Sequence, residues 1–406
     1  AVAAACGAPS GAPGPVQINV AFRDPLTPVG PACDCGAEAG ASFVPRPTLV
    51  LRAPAVPERW EDVVGPAAAG LIVAGEGASP RAREWSRASG FPLLAEPASG
   101  AWKDGGVTPF EQSLVCSSLG REVDAVVVTG RPTLSRPIQA LLARPDVRVV
   151  VVDPHSPWVD ISGNASVVVA DLEPAREPIS AAQAEWAARV RDAARDAGER
   201  IESLLASGSG RTMIDLARAV ASSTSGPLVL GASNPVRAFD LGVSSLEGRV
   251  VHSNRGQAGI DGTIATAVGI ALGSGCAGEA SAPTGERVTA VMGDLTACHD
   301  ASSLALASSV GVNLDIVVAD DQGGGIFATL EHGRAASPEA YDRWFGVAQA
   351  VDYEALAAAY GVAFARAETP AQLDQLLATD AAGPRLVHAP VERAAHLYPA
   401  LRDVLS

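Results

Sequence analysis

The sequence lacks several patterns, and each absence excludes a class of protein. No apolar run among its 406 residues approaches the roughly 18 residues that a membrane-spanning helix needs. Basic residues are few, because 30 Lys and Arg stand against 45 Asp and Glu, for a net charge of −15. A nucleic-acid-binding protein needs a basic face, so this charge argues against a nucleic-acid partner. Any anionic substrate must therefore be held by local arginines.

Cysteine is scarce and scattered. Of the six cysteines only Cys33 and Cys35 are close together, and their spacing is not the usual one for zinc. We interpret the cysteines as free thiols, which predicts a reducing compartment and a cytoplasmic location. No complete G-x-G-x-x-G motif follows a strand, so a dinucleotide site has little support.

The composition that is present favours a large folded core. The chain is 48% hydrophobic and 18% charged, with a mean hydropathy of +0.19. Its length is sufficient for two or three domains at about 100–200 residues each. We therefore expect a globular protein of more than one domain.

The first half of the chain predicts one α/β domain. Val-rich runs at 70–77, 124–133 and 147–154 are typical of strands buried on both faces of a parallel sheet, and helix-like segments separate them. We predict a doubly wound central domain over 60–177. An earlier strand at 15–26 has no sheet around it, so residues 1–28 are predicted to be the remnant of another domain and 29–59 a linker.

The second half predicts another doubly wound α/β domain over 178–406. It opens with a helical segment at 178–206. The strand-like segments that follow lie within 227–237, 249–273, 287–295, 314–327 and 385–391. The unusual residues follow four of these strands, and ligands bind at strand carboxyl ends in open parallel sheets.

Two acidic loops predict a magnesium site. GDLTACHD (293–300) and ADDQGGGIF (319–327) each follow a predicted strand, and Asp294 precedes Asp321 by 27 positions. Mg²⁺ is usually bound by one or two carboxylates with phosphate and water, and the carbonyl of Gly323 offers a further oxygen. Helices from about His299 and after GIDG would present amides to a diphosphate. The alternative is that Asp294 caps a helix and the glycines form only a turn.

This arrangement resembles the thiamin-diphosphate motif, in which GD, a side chain about 27 positions later and a carbonyl two residues further bind the metal. The loops GASNPVR (231–237), SNRGQAGIDGT (253–263), GDLT and GGGIF are similar to those of the MenD family, synthases of menaquinone biosynthesis. The likeness extends across all 406 residues. Many thiamin-diphosphate enzymes carry Asn where this chain has Asp321.

The resemblance implies a reaction and a set of site residues. It implies thiamin-diphosphate-dependent decarboxylation of 2-oxoglutarate and conjugate addition of the resulting succinyl carbanion to isochorismate, with Mg²⁺ or alternatively Mn²⁺. The implied metal ligands are Asp294, Asp321 and Gly323. The implied cofactor contacts are Ser233, Asn234, Ile260, Gly293, Asp294, Leu295, Thr296, Asp321, Gly323, Gly324 and Ile326. The implied substrate contacts are Ser233, Arg237, Arg255, Ile326, Phe327 and Arg136. We interpret His252 and His299 as structural.

The resemblance also implies a partner subunit and a missing part. In this family a glutamate of the N-terminal domain activates the cofactor across a homodimer or a dimer of dimers, and no glutamate here can be assigned that role. About 150 residues of that domain are expected to be absent, which is one typical domain. The chain alone is then expected to be inactive, and turnover by the purified chain would contradict this.

Two other functions stay open at the level of the sequence. One is another thiamin-diphosphate-dependent 2-oxo acid carboligase or decarboxylase, against which the NRG-x-x-GIDGT and GASNPVR loops argue. The other is a non-catalytic remnant that only binds the cofactor. The intact Asp294, Asp321 and Gly323 argue against that second alternative.

Overall fold

The structure is a computed structural model. It describes residues 14, 17 and 56–406, apart from 105, 156–157, 276–285 and 380. The strand predicted at 15–26 and nearly all of the predicted domain remnant and linker therefore lie outside the described residues. No helix in the described part of the chain is long and apolar enough to cross a membrane.

A five-stranded parallel sheet forms the first half of the described chain. Its strands are β1 (Gly70–Ala74), β2 (Leu93–Ala95), β3 (Ala125–Thr129), β4 (Arg148–Val152) and β5 (Ala165–Val169). They lie in the order β2-β1-β3-β4-β5. β1 and β3 are buried along their whole length, which explains their unbroken apolar sequences, GLIVA and AVVVT.

Five short helices accompany this sheet. They are α1 (Trp60–Val63), α2 (Ala82–Ser89), α3 (Glu111–Cys116), α4 (Ser118–Glu122) and α5 (Arg136–Leu142). α3 follows Phe110, a bulky residue with a φ of 60° that this backbone region rarely admits. The strained residue directs the first side chains of α3 into the protein interior.

A long helix, α6 (Ala181–Ala206), joins the two halves. It starts at a capping box in which the Ser180 hydroxyl accepts from the Gln183 amide and the Gln183 side chain accepts from the Ser180 amide. Its buried residues recur every three or four positions, as an amphipathic helix requires. They are Trp186, Ala187, Val190, Ala194, Ala197, Ile201 and Leu205.

A six-stranded parallel sheet forms the second half. Its strands are β6 (Leu228–Leu230), β7 (Val251–His252), β8 (Val288–Gly293), β9 (Leu314–Asp320), β10 (Ala363–Arg366) and β11 (Pro384–Pro390). They lie in the order β10-β11-β9-β8-β6-β7. The four strands that precede the unusual loops are therefore neighbours, and all four loops leave the same edge of one sheet.

The helices of the second half cover this sheet. They are α7 (Met213–Ser223), α8 (Asn234–Gly242), α9 (Thr263–Gly275), α10 (Asp294–His299), α11 (Ser303–Val310), α12 (Glu331–Ala335), α13 (Pro338–Tyr341), α14 (Tyr353–Ala359), α15 (Pro370–Leu377) and α16 (Leu397–Arg402). The helix predicted from about His299 was wrong, because α10 starts at Asp294 itself. Gly293 supplies the extended residue that precedes the helix.

The predicted fold class, two parallel-sheet α/β units, is confirmed. One hydrophobic cluster continues from the first sheet into the second and includes Trp85, Ile201, Ile214 and Phe239. Polar contacts also join the halves, since the Ser113 hydroxyl donates to the carbonyl of Leu401 at 2.8 Å. The two sheets are thus docked through a shared core.

The opposite edge of the second sheet is held by a buried charge. Asp315 of β9 is 1% exposed, and its carboxylate accepts hydrogen bonds from Arg287 at 2.6 and 2.8 Å and from Arg385 at 2.7 Å. Arg385 lies on β11 and Arg287 immediately precedes β8, and these two strands flank β9. Removing the carboxylate would leave two guanidinium groups without their anion.

We expect Asp315→Asn to lower the free energy of unfolding by about 3–5 kcal/mol, because breaking a buried ion pair strands the partner charges. Urea denaturation measures this change. Asp192→Asn is the matched control, since Asp192 pairs with Arg195 on the exposed face of α6. That variant should change stability by less than about 1 kcal/mol. Equal effects of the two substitutions would contradict the expectation.

Candidate active site

The pairing of β8 with β9 brings the two acidic loops together. In this parallel register Gly293 lies opposite Ala319. Asp294 follows Gly293 directly, and Asp321 follows Ala319 by two residues. Neighbouring strands are about 4.8 Å apart, so the two loops leave the sheet at the same level, with Asp320 level with Asp294 and Asp321 one residue further. The charge of Asp294 acts on Asp321, so those two carboxylates are also near each other. The predicted juxtaposition of two strand ends is therefore what this register produces.

Asp294 is a buried carboxylate with an unused oxygen. The residue is 2% exposed, and its Oδ1 accepts a hydrogen bond from the Leu295 amide at 2.8 Å. Its Oδ2 is buried and has no hydrogen-bond partner among the described groups. Leu295 and Thr296 continue the first turn of α10, and Thr296 is also buried. An oxygen of this kind is costly to bury until a proton, a hydrogen-bond donor or a cation satisfies it.

The three glycines after Asp321 are required by close packing. A Cβ on Gly323 would lie 1.9 Å from the carbonyl oxygen of Gly346, and the φ of Gly323 is +125°. A Cβ on Gly324 would lie 2.1 Å from the Phe345 carbonyl oxygen, and one on Gly325 would lie 1.9 Å from Oδ2 of Asp321. The loop is therefore pressed against both its own aspartate and the chain near residue 346. A simple turn would not need three glycines.

The electrostatics of the two aspartates indicate a cation site. Burial raises the pKa of Asp294 to about 6, and the charge of Asp320 adds to the shift. Burial, together with the charge of Asp294, raises the pKa of Asp321 to about 7. Two carboxylates that disfavour each other's ionised form are stabilised by a shared cation.

The donor set fits Mg²⁺ better than a transition metal. No group of three His, Cys, Asp or Glu side chains gathers as a metal site among the residues that the structure describes. Mg²⁺ needs fewer side chains, since one or two carboxylates with phosphate oxygens and water complete its octahedron. The Oδ2 of Asp294, which has no described hydrogen-bond partner, and the nearby carboxylate of Asp321 are oxygen donors of the kind that Mg²⁺ takes.

Arg237 and Arg255 lie beside this edge. Arg255 is 7% exposed, and its guanidinium donates to the Ala232 carbonyl at 3.2 Å and to the Thr133 carbonyl at 3.0 Å. Arg237 donates to the carbonyls of Ala232 and Ser233. Burial, and then the charge of Arg255, lowers the pKa of Arg237. Neither arginine forms an ion pair within 4 Å among the described residues, although Glu96 lies near Arg255 and Asp240 near Arg237. The Nε of Arg255 is buried and has no hydrogen-bond partner among the described groups.

The start of α8 carries two further predicted contacts. Ser233 precedes α8, but its hydroxyl makes no capping hydrogen bond to the helix and so can bind another group. Asn234 is 7% exposed, and its Oδ1 is buried without a partner in the described part of the chain. Both side chains therefore have unused hydrogen-bonding capacity at the sheet edge.

The remaining predicted site residues lie around the same edge and are less buried than Asp294 and Arg255. Ile260 is half-buried before α9, and Ile326 and Phe327 lie in the 3₁₀ turn Gly325–Thr329. Phe327 is 39% exposed and packs against Phe345, with ring centroids 5.8 Å apart. Arg136 begins α5, and its mostly exposed guanidinium pairs with Glu331 at 2.8 Å.

The histidines beside the motifs do not join the acidic pair. His299 ends α10, and its Nδ1 lies 3.3 Å from Oδ1 of Asp261, a carboxylate partner that the spacing did not reveal. His252 is the last residue of β7 and lies three positions before Arg255. Their interpretation as structural stays a prediction.

Sequence reasoning missed residues that contact the acidic loop from far along the chain. Arg393 donates from Nε to the Asp321 carbonyl at 2.8 Å, and the Tyr341 hydroxyl donates to the Gly324 carbonyl at 2.9 Å. The hydroxyl of Tyr398 is buried without a described partner in a small cavity that Asn234 and Asp321 also line. Arg393 and Tyr398 follow β11, which neighbours β9. Only the strand order, which the sequence does not state, brings them here.

Sequence reasoning also missed a buried carboxyl layer behind the arginines. Glu96 is 3% exposed and accepts from the Leu134 amide at 2.6 Å. Asp240 of α8 accepts from the side-chain amide of Gln112, and both carboxylate oxygens of Glu111 are buried without a described partner. Burial, and then the charge of Asp240, raises the pKa of Glu111 well above its ordinary value. This layer lies where the two sheet regions meet.

Comparison with known proteins agrees with this geometry. Residues 240–389 match the thiamine pyrophosphate enzyme family, C-terminal TPP binding domain. A 2-succinyl-5-enolpyruvyl-6-hydroxy-3-cyclohexene-1-carboxylate synthase of Nocardioides sp. is 37% identical, over 94% of this chain and 69% of the relative. The chain belongs to the MenD synthase family.

Other members of the MenD family give the same result. The synthase of Kineococcus radiotolerans is 38% identical over 95% of this chain and 68% of its own length. That of Leifsonia xyli is 36% identical over 97% of this chain and 71% of its own. The resemblance based on GASNPVR, NRG-x-x-GIDGT and GDLT is thereby confirmed at the level of the family.

The buried carboxyl layer gives a pH-dependent prediction for this MenD-family chain. Burial raises the pKa of Glu96 from its ordinary 4.5 to about 8. Between these values the unfolded chain has released the proton and the folded protein retains it. The free energy of unfolding therefore decreases as pH rises through this window, by up to about 1.4 kcal/mol per pH unit.

Glu96→Gln keeps an acceptor for the Leu134 amide but removes the titration. We expect the stability of this variant relative to the unsubstituted protein to increase from pH 5 to pH 8 in urea denaturation. Glu84→Gln, at an exposed position on α2, should show no such trend. A difference between Glu96→Gln and the unsubstituted protein that stays constant with pH would contradict the interpretation.

Proposed function

We propose that this chain carries the metal- and diphosphate-binding side of an active site that uses thiamin diphosphate to decarboxylate 2-oxoglutarate and adds the succinyl unit to isochorismate. The product is 2-succinyl-5-enolpyruvyl-6-hydroxy-3-cyclohexene-1-carboxylate, in menaquinone biosynthesis. Family membership supports this transferase reaction. The observation that carries the proposal is the buried Asp294, with an oxygen that has no described partner, beside the half-buried Asp321 at the edge where Arg237 and Arg255 also lie.

Asp294, Asp321 and the carbonyl of Gly323 are proposed to bind Mg²⁺, with Mn²⁺ as an alternative. When it is bound, thiamin diphosphate supplies the electron sink that the decarboxylation needs. The protein supplies charge and position. Two carboxylates fix the cation, and the cation in turn neutralises a diphosphate that the acidic loop would otherwise repel.

The surrounding residues are proposed to hold the rest of the cofactor. The amides around Gly293, Leu295 and Thr296 open α10, where backbone N–H groups have no carbonyl partner within the helix. The Leu295 amide donates to Oδ1 of Asp294. The other proposed cofactor contacts include Gly324, in the loop of residues 321–325, called the glycine loop below. Ser233 and Asn234, whose side chains have unused hydrogen-bonding groups, and the apolar side chains of Ile260 and Ile326 complete the set. A charged diphosphate thus meets donors and the metal, and the ring end of the cofactor meets apolar groups.

Arg237 and Arg255 are proposed to bind the carboxylates of the substrates. Both substrates are carboxylic acids, and the planar guanidinium can hold a carboxylate through two parallel hydrogen bonds. The buried Nε of Arg255 has no hydrogen-bond partner among the described groups, and a substrate carboxylate would accept a hydrogen bond from it. Ser233, Ile326 and Phe327 are proposed to line the same pocket, with Arg136 at its margin.

The assembly and location are also proposals. The family's activating glutamate belongs to a partner subunit, so a homodimer or a dimer of dimers is proposed. The substrates are small molecules, and the scattered cysteines favour the cytoplasm. Cys116 and Cys298 are free thiols in the described part of the chain.

A turnover assay tests the reaction. It uses 2-oxoglutarate, isochorismate, thiamin diphosphate and Mg²⁺, first with this chain alone and then with the chain extended by the N-terminal region of a relative. Turnover in the extended form supports the proposal. A folded protein that consumes neither substrate in either form would refute the synthase and favour another 2-oxo acid or a non-catalytic role.

Substitutions at the aspartates should separate the two metal ligands. We expect Asp294→Ala to weaken Mg²⁺ binding in the presence of thiamin diphosphate by more than about 100-fold, because it removes a charged ligand worth at least about 3 kcal/mol. Asp321→Asn keeps an oxygen ligand and relieves the repulsion with Asp294, so its loss should be smaller. Titration calorimetry measures both. Equal losses would contradict the assignment.

Arg255→Lys retains the charge but loses the guanidinium fork. We expect the KM for the substrate that Arg255 binds to rise by about 10–100-fold, the equivalent of one charge-assisted hydrogen bond. Steady-state kinetics, with each substrate varied separately in the form of the enzyme that turns over, shows which one it is. Arg218→Lys, at an ion pair on the surface of α7, is the control. An unchanged KM for both substrates would exclude Arg255 from carboxylate binding.

A further inference from the structure

Arg393 follows the last strand of the second sheet and reaches back to the glycine loop. Its Nε donates to the Asp321 carbonyl at 2.8 Å, and its Nη2 donates to the Gln322 carbonyl. The segment is anchored just before it, because the Val391 amide donates to the Asp320 carbonyl at 2.9 Å. One guanidinium thus bridges two consecutive backbone carbonyls of the glycine loop.

The carbonyl groups of this loop differ in whether a side chain donates a hydrogen bond to them. Those of Asp321 and Gln322 accept from Arg393, and that of Gly324 accepts from the Tyr341 hydroxyl at 2.9 Å. Among the described groups, the Gly323 carbonyl accepts only from the Gly325 amide, at 3.0 Å within the loop. A carbonyl oxygen has two lone pairs, so Gly323 retains one. It is the only carbonyl of these four that no side chain binds in the described structure.

The backbone of the loop is strained where Arg393 holds it. Gln322 has a φ of +59° and Gly323 a φ of +125°. Such conformations persist only where the surroundings fix them. Arg393 bonds the carbonyls of the two peptide groups that flank the Cα of Gln322, and this bridge provides that restraint. Loss of the bridge would let the loop relax and move the Gly323 carbonyl.

We propose that Arg393 is a positioning residue that fixes two carbonyls of the loop and leaves that of Gly323 to bind the metal. This inference rests on the proposed function, because it assumes a cation between Asp294 and Asp321. Arg393 does not touch the reacting atoms in the proposal. It acts through the backbone of the loop.

The charge of Arg393 would have the opposite effect on metal binding. Its guanidinium lies near both aspartates and lowers the pKa of each, which opposes the larger effect of burial. A positive charge in that place repels a cation. If charge were the only effect, removing it would strengthen Mg²⁺ binding, whereas loss of loop geometry would weaken it. The sign of the change therefore separates the two roles.

The experiment compares Arg393→Lys and Arg393→Gln with the unsubstituted protein. The dissociation constant for Mg²⁺ is measured by titration calorimetry with thiamin diphosphate present, and Mn²⁺ binding is followed by electron paramagnetic resonance. Lysine keeps the charge but cannot span two carbonyls, and glutamine removes the charge. We expect both to weaken metal binding by about 10–100-fold, the usual effect of losing a group that orients a metal ligand.

Arg366→Lys is the matched control. Arg366 lines the same open cavity as Arg393 but pairs with Glu368. It makes no hydrogen bond to the glycine loop among the described contacts. This variant should leave the dissociation constant within about 2-fold, since a lysine keeps the same long-range charge.

The outcomes distinguish the inference from the proposed function. If the unsubstituted protein binds neither Mg²⁺ nor Mn²⁺ with thiamin diphosphate, the proposed function fails. If it binds them and Arg393→Lys binds them equally well, or Arg393→Gln binds them more tightly, the positioning role is overturned. A lower melting temperature without metal, at an unchanged dissociation constant, would show a merely structural role and would overturn it too.

Discussion

The parallel pairing of β8 with β9 is the constraint on which the candidate site depends. It places Gly293 opposite Ala319, so the two strands end at nearly the same level. Asp294 follows β8 and Asp321 follows β9. A shift of one residue would turn alternate side chains to the other face and separate the carboxylates. The glycine loop, the arginines at the edge of β6 and β7, and Arg393 after β11 all take their positions from this pairing.

The site is costly to the folded protein when no cation is bound. Asp294 is buried and Asp321 beside it is half-buried, and desolvation raises the pKa of both. Three successive glycines add conformational entropy to the unfolded chain. The apolar core that the two sheets share and the capped, amphipathic α6 contribute stability against these costs. Functional sites commonly carry such strain, and a ligand that binds only the folded state reduces it.

The sequence predicted the buried strands well, because unbroken Val and Ile runs have few other uses in a chain of this kind. It did not predict β2, β5 or β10. β2 has only three residues, and most residues of β5 and β10 are half-buried or exposed. The start of α10 was misplaced because Asp294 was treated as a loop residue when it is the first helical one. Arg393 could not be found, since it lies 72 positions from Asp321 and is brought there only by the neighbourhood of β11 and β9.

The proposed substrate arginines show why the two halves of the chain act together. Arg255 comes from the second sheet, but its Nη2 donates to Thr133 of the first. The adjacent amide of Leu134 is in turn held by Glu96, a buried carboxyl of the first sheet region. The direction of a guanidinium at the sheet edge thus depends on how the two regions dock. Because a displacement of about 1 Å can cost a reaction much of its rate, this shared core is part of the site rather than only its support.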